Sequence, residues 1–205
     1  MAVDAPARPR SGERLDGLVL VAVMVAIMWA VEVVDLVAGD LDSAGIRPRD
    51  PDGLPGIAAA PFLHAGFGHL IGNTIPFVAL GGAIALGGLA RIAAVTAIVA
   101  VVGGLGTWVT GPANTVHIGA SGLVFGYAAY LVTRAAYSRS GPHLLGAVAV
   151  VAVYGTTLAF GVVPHPGVSW QGHLFGAVGG VVAAWAIHGR GVRAVSPGPL
   201  RRPAL

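Results

Sequence analysis

Residues 119–137, GASGLVFGYAAYLVTRAAY, form an apolar run that opens with a serine set between glycines. A helix needs about 20 such residues to cross the ~30 Å hydrocarbon core of a bilayer. The run therefore has the length of a membrane span, and Ser121 falls in its first turn. Five runs of similar length accompany it, at residues 17–39, 69–90, 92–110, 143–163 and 169–188. The whole chain of 205 residues is 55% hydrophobic and 10% charged, with a mean hydropathy of +0.78, well beyond the range of soluble domains. Connections are short except for residues 40–68, so no second soluble domain fits. The expected architecture is an all-α membrane protein: one six-helix bundle over residues 17–188 with a long external loop at 40–68. Pro/Arg-rich tails at 1–16 and 189–205 are expected to be disordered.

All twelve basic residues are arginines. Threading six spans alternately places Arg8, Arg10, Arg14, Arg91, Arg134, Arg139, Arg190, Arg193, Arg201 and Arg202 on one side, leaving Arg47 and Arg49 on the other. The positive-inside rule then makes both termini cytoplasmic. These arginines lie at termini and in turns, without the stripe and interleaved aromatics of a nucleic-acid surface, so no nucleic-acid partner is expected. There is no cysteine, which excludes disulfides and thiolate chemistry. The first run is too long for a signal peptide, Glu32 and Asp35 interrupt its far end, and no small-residue cleavage site follows, so it is expected to be retained. The absence of lysine beside abundant Ala, Gly, Val and Arg suits a GC-rich bacterial genome.

Polar residues in the later spans are conspicuous, because polar atoms at membrane depth are costly and face the bundle interior or water. His69 and Asn73, Ser121, and His173 each lie within the first two turns of an inward-running span. At 1.5 Å per residue they share a layer about 5 to 10 Å below the outer end. His69 and Asn73, four apart, occupy one helix face. Gly122 with Gly126, and Gly172 with Gly176 and Gly180, make small-residue faces that allow close helix approach. Packing them together would bring the Ser121 hydroxyl within reach of the His173 imidazole. Each residue also has a plainer reading: Ser121 as a helix cap, His69 and Asn73 as an interhelical polar pair, His64 as a residue ordering its loop. His117, His143, His165 and His188 read as solvated residues of turns and helix ends. Glu32 and Asp35 are expected to pair with Arg47 or Arg49, and Trp108, Trp170 and Trp185 to anchor at the interface.

GASG opening one span, GHLFGAVGG two spans later, and HLIGN opening an earlier one together resemble the rhomboid family of bacterial intramembrane serine proteases. The resemblance implies that Ser121 is the nucleophile and His173 the general base, and that His69 and Asn73 stabilise the oxyanion with the Ser121 N–H. It matches His64 to a second loop histidine, and residues 40–68 to a first loop lying partly in the membrane. Two positions depart from the pattern: the loop lacks a Trp-Arg pair, and the aromatic four residues after Ser121 is Phe125, which can stack but carries no hydroxyl. Every acidic residue lies in the first 52 positions, so a Ser-His dyad is simpler than a triad. Losing the third member costs about 10⁴ in kcat in a soluble serine protease; Phe125 and the glycine-lined contact are expected to hold the imidazole instead. Gly119 is expected to leave room for a substrate carbonyl, and Gly122 to admit the neighbouring helix.

The expected function is serine endopeptidase activity through an acyl-enzyme, needing no cofactor and no metal. It would act on transmembrane protein substrates whose helices unfold locally, since a helical peptide bond hides its carbonyl. The expected location is the bacterial inner membrane, multi-pass, with the site toward the extracytoplasmic side. The alternatives are a noncatalytic rhomboid-like protein that binds membrane helices, and a haem bundle with His69 and His173 as axial ligands.

Overall fold

The computed structural model describes residues 9–138 and 140–189, and everything in it is helix or loop apart from one isolated β-bridge between Ile46 and His117. Six long helices appear: α1 (Ser11–Ala38), α3 (Phe67–Ala85), α4 (Leu89–Thr110), α5 (Ser121–Ser138), α6 (Gly141–Gly161) and α7 (Trp170–His188), with a one-turn helix α2 (Gly56–Ala59) inside the long loop. Helix α1 starts within the segment expected to be a tail. The Arg10 N–H donates to the Glu13 carboxylate at 3.1 Å, closing the first turn in the manner of a capping box. Residues 1–8, Arg139, and the tail from residue 190 lie outside the described residues.

Among the described residues, four helices, α1, α3, α4 and α6, are long and apolar enough to cross a membrane. The six apolar runs do not qualify equally, for a physical reason. Helices α5 and α7 carry the glycines, tyrosines and polar groups that lower hydropathy, and α5 packs against α3, α4, α6 and α7. A helix enclosed by others does not need a lipid-compatible surface all round. Its inner neighbours form one core, with Met28, Leu70, Phe77, Ile84, Ile92, Val95 and Tyr127 almost wholly buried. Threonines at depth return their hydroxyls to the carbonyl four residues back, as Thr96 does to Ile92 and Thr107 to Gly103, both at 2.7 Å. Thr96 also meets the Tyr127 hydroxyl at 2.7 Å, joining α4 to α5.

The tightest packing is α7 against α5. A Cβ at Gly176 or Gly180 would run into the carbonyl oxygen of Gly122 or Gly126, and one at Gly126 would lie 2.8 Å from the Gly176 carbonyl oxygen. The opposite side of α7 also lies close to α4, where a Cβ at Gly179 would lie 2.9 Å from the Val99 Cα. Backbone meets backbone on both sides, so no side chain can rotate away.

Gly180→Ala should therefore lower stability by about 1–3 kcal/mol, the usual cost of forcing extra atoms into a packed contact. Gly146→Ala, with open space around it, should match or exceed the wild type. Thermal unfolding of the purified protein in detergent compares them.

Candidate active site

The site is assembled at the point where α5 begins. Ser121 is the first residue of α5, and His173 stands one turn inside α7. With the two helices in backbone contact, Ser121 Oγ lies 2.8 Å from His173 Nε2. The other ring nitrogen, Nδ1, lies 2.7 Å from the carbonyl oxygen of Gly161, the last residue of α6. A carbonyl can only accept, so Nδ1 carries the proton and the neutral ring presents a lone pair at Nε2 to the serine O–H. Gly161 thus sets the tautomer. Its carbonyl is among those a helix end leaves without an internal partner, and the negative end of the helix dipole favours positive charge on the ring. Phe125 stacks on the imidazole, centroids 4.1 Å apart and planes within 7°. A side chain at Gly161 would collide with the Phe125 ring and come within 3.1 Å of His173 Nδ1.

Opposite this pair, the loop leading into α5 is pinned by the segment between α1 and α3. Ile46 and His117 exchange two backbone hydrogen bonds at 3.0 and 2.9 Å, the Gly119 N–H donates to the Ala60 carbonyl at 2.8 Å, and the Ala120 N–H points to His64 Nε2 at 3.4 Å. Gly119 has φ +107°, and a Cβ there would strike the His69 ring at 2.8 Å from Cε1 and 2.9 Å from Nε2. His69 Nδ1 accepts from the Ala65 N–H at 3.3 Å, which leaves the proton of the neutral ring on Nε2 beside Gly119. Asn73 Nδ2 donates to the His69 carbonyl at 3.1 Å and lies 3.7 Å from the same empty Cβ position. Hydrogen-bond donors therefore surround the space that the missing side chain vacates. His64 is buried, with its ring edge-on to His69.

His69, Asn73, Ser121, Phe125, Gly161 and His173 line one open cavity of about 1150 Å³. A second, small cavity of about 50 Å³ also reaches Ser121, bordered by Thr107, His117, Ser169 and Gly172. At 10–15 Å³ of probe-occupied volume per water, it is large enough for a few molecules.

Several plainer expectations need correction. His117 is buried, not solvated: Nδ1 lies 2.6 Å from Ser169 Oγ and Nε2 lies 3.0 Å from Thr115 Oγ1, and burial pushes the imidazole below the usual histidine pKa. His188 also has a partner, the Tyr130 hydroxyl at 3.1 Å, whereas His143, bonding Ser138 at 2.7 Å, and the exposed His165 keep the helix-end and turn positions expected of them. Arg134 lies buried within α5 and not in a turn. Glu32 and Asp35 do not pair with Arg47 or Arg49. Arg47 bonds Asp50 at 2.7 Å, and Arg49 donates to the carbonyls of Val109 and Gly111 at 3.1 and 2.7 Å. Asp35 accepts from the Leu41 N–H at 2.6 Å, while one Glu32 oxygen is buried without a partner among the described residues. Trp108 ties its indole N–H to the Asp50 carbonyl at 2.9 Å. Arg49 and this tryptophan fasten the long loop to the end of α4, while Arg47 braces the loop internally.

The fold and site define a helical membrane protein with a serine hydroxyl hydrogen-bonded to an imidazole inside its helix bundle. The rhomboid domain model matches residues 53–190. Uncharacterized proteins of Mycobacterium tuberculosis and Mycobacterium leprae are 46% and 44% identical over 80% and 83% of this chain, covering 72% and 71% of their own lengths. The Bacillus subtilis protein named "Putative rhomboid protease YdcA" is 32% identical over 60% of this chain and 62% of its own. This chain belongs to the rhomboid family, and it is a multi-pass membrane protein.

Burial and the neighbouring His69 hold the His64 pKa at about 4, against 6.5 in an unfolded chain. The folded state therefore favours the neutral ring. Stability is fully present above pH 6.5 and is lost progressively as pH falls from 6.5 toward 4, by up to about 3 kcal/mol. Protonating Nε2 would also turn away the Ala120 N–H. Thermal midpoints measured across pH 4 to 7 should fall on acidification in the wild type and fall less in His64→Gln.

Proposed function

We propose that this protein is an intramembrane serine endopeptidase in which Ser121 and His173 form a catalytic dyad. The observation that carries the reading is the chain of contacts Ser121 Oγ, His173 Nε2, His173 Nδ1, Gly161 carbonyl. In this reading His173 takes the Ser121 hydroxyl proton on Nε2 as Oγ attacks the substrate carbonyl carbon. The oxyanion is met by the Ser121 backbone N–H, free of intrahelical bonding at the start of α5, with His69 Nε2–H and Asn73 Nδ2–H beside it. His173 then delivers its proton to the leaving amine as the C–N bond breaks, leaving an ester on Ser121. Water, activated by His173, attacks that ester and releases the carboxylic product. The small cavity at Ser121 is a place from which such water can come.

The Gly161 carbonyl does part of what an aspartate does in a triad. It fixes tautomer and orientation, while its partial charge stabilises the imidazolium less than a full carboxylate would. The stacked Phe125 supplies the rest of the restraint. The haem reading draws no support from this arrangement, because both nitrogens of His173 already have partners.

Six spans, both termini cytoplasmic, and the dyad near the outer face follow from the arginine distribution, with residues 17–188 as the catalytic domain. The substrate class is then a membrane protein whose helix opens near the outer interface, since only an unwound segment offers a carbonyl to Ser121.

A fluorophosphonate probe should label the wild-type protein in detergent and leave Ser121→Ala unlabelled, with His173→Ala reduced at least a thousandfold. Cleavage of a fluorogenic transmembrane peptide should fall about 10²- to 10³-fold in Asn73→Ala. Labelling of Ser121→Ala equal to wild type would rule out the dyad.

A further inference from the structure

At the other end of the bundle, two arginines and two histidines gather, with no carboxylate paired to them among the described residues. Arg134 is 13 residues beyond Ser121 on α5 and His188 is 15 beyond His173 on α7, so both lie roughly 20 Å further along their helices. Arg91, in the first turn of α4, and His143, in the first turn of α6, lie within electrostatic reach of both. Each of the four comes from a different helix.

Arg134 is the unusual member. It is only 9% exposed. Its guanidinium carbon sits 5.7 Å from the Tyr130 ring centroid, a cation–π contact that uses none of its N–H donors. Its Nε–H is buried and has no acceptor among the described residues. A buried donor without a partner costs free energy, more so on a charged group. The carboxylates are elsewhere: the one ion pair among the described residues is Arg47–Asp50, and Glu13, whose stem packs near Gly88, bonds the Arg10 N–H.

Helix dipoles account for part of this. Arg134 and His188 lie toward the negative ends of α5 and α7. Arg91, however, lies at the positive end of α4, where a cation is disfavoured, and His143 at that of α6; both ends favour an anion. Their presence there is explained if an anion shares the space.

We propose that Arg91, Arg134, His143 and His188 form a binding site for a phosphate group. A phosphate oxygen pair seated side-on against the Arg134 guanidinium would accept from Nε and one Nη, the bidentate geometry arginine favours. Arg91 and His188 supply further donors from the neighbouring helices. The depth matches a bilayer source: with Ser121 5 to 10 Å below one interface and a ~30 Å hydrocarbon core, this cluster lies at the opposite headgroup level, where basic pockets between helices hold anionic lipids. The placement rests on the spanning reading of the helices and not on proteolysis, and the test needs no protease activity.

Native mass spectrometry of the full chain in neutral detergent would compare three probes: phosphatidylglycerol, diacylglycerol with the same acyl chains, and inorganic phosphate. One copy of phosphatidylglycerol should bind at a concentration at least tenfold below diacylglycerol. Arg134→Met should lose about that factor. The partly exposed pair Arg91→Gln with His188→Gln, which leaves the buried arginine in place, should do the same should Arg134→Met not fold. Arg134→Lys, keeping the charge but not the fork, should fall between. Saturation by inorganic phosphate at concentrations similar to the lipid would support the same site with a soluble phosphate as its source. Equal binding of phosphatidylglycerol and diacylglycerol, or phosphatidylglycerol binding unchanged in the folded variants, would overturn the proposal.

Discussion

The contact of α7 with α5 through bare backbone is the constraint on which the rest depends. Gly176 and Gly180 lie against the carbonyls of Gly122 and Gly126, so the helix axes come as near as two helices can. That separation, more than any attraction between the side chains, places His173 Nε2 at hydrogen-bond distance from Ser121. A larger residue at any of these positions would move the imidazole outward by a fraction of the contact it makes. The glycines weaken α5 and α7 as isolated spans, lowering their hydropathy and helix propensity. Enclosure by α3, α4 and α6 compensates, which is why the least membrane-like helices are the ones bearing the polar pair.

The second constraint is the loop between α1 and α3. It is anchored to α4 by Arg49 and Trp108, and it anchors in turn the strand-like entry to α5 through Ile46 and Ala60. The loop therefore acts as a template that fixes Gly119, Ala120 and Ser121 before the helix begins. His64 and His117 are buried along this seam as neutral donors and acceptors. Their protonation would disturb the entry to α5, where neither ring is a partner in the Ser121–His173 bond.

Much of this was legible in residue order. Period, length and spacing along one helix are local properties, and they located the long helices, the face shared by His69 and Asn73, and the glycine faces that bring Ser121 to His173. Residue order does not show a side chain's partner when that partner lies in another segment. His117 is indistinguishable from a solvated turn histidine until Ser169, 52 residues on, is placed beside it. Arg47 and Arg49 are plausible partners for Glu32 and Asp35 by charge alone, yet backbone carbonyls and Asp50 are nearer. Arg134 resembles a turn arginine until α5 continues past it.

By itself the sequence determined that the chain is a bundle of apolar helices with a serine, two histidines and an asparagine in one layer, because run length and rise per residue convert position into depth. Only the tertiary structure decided how the imidazole is held. Its partner is the Gly161 carbonyl, and every residue has a carbonyl, so no residue type announces it. The same holds for the donors around Gly119 and for the arginines and histidines of four helices that meet at the far end: each is a relation between segments, created by packing.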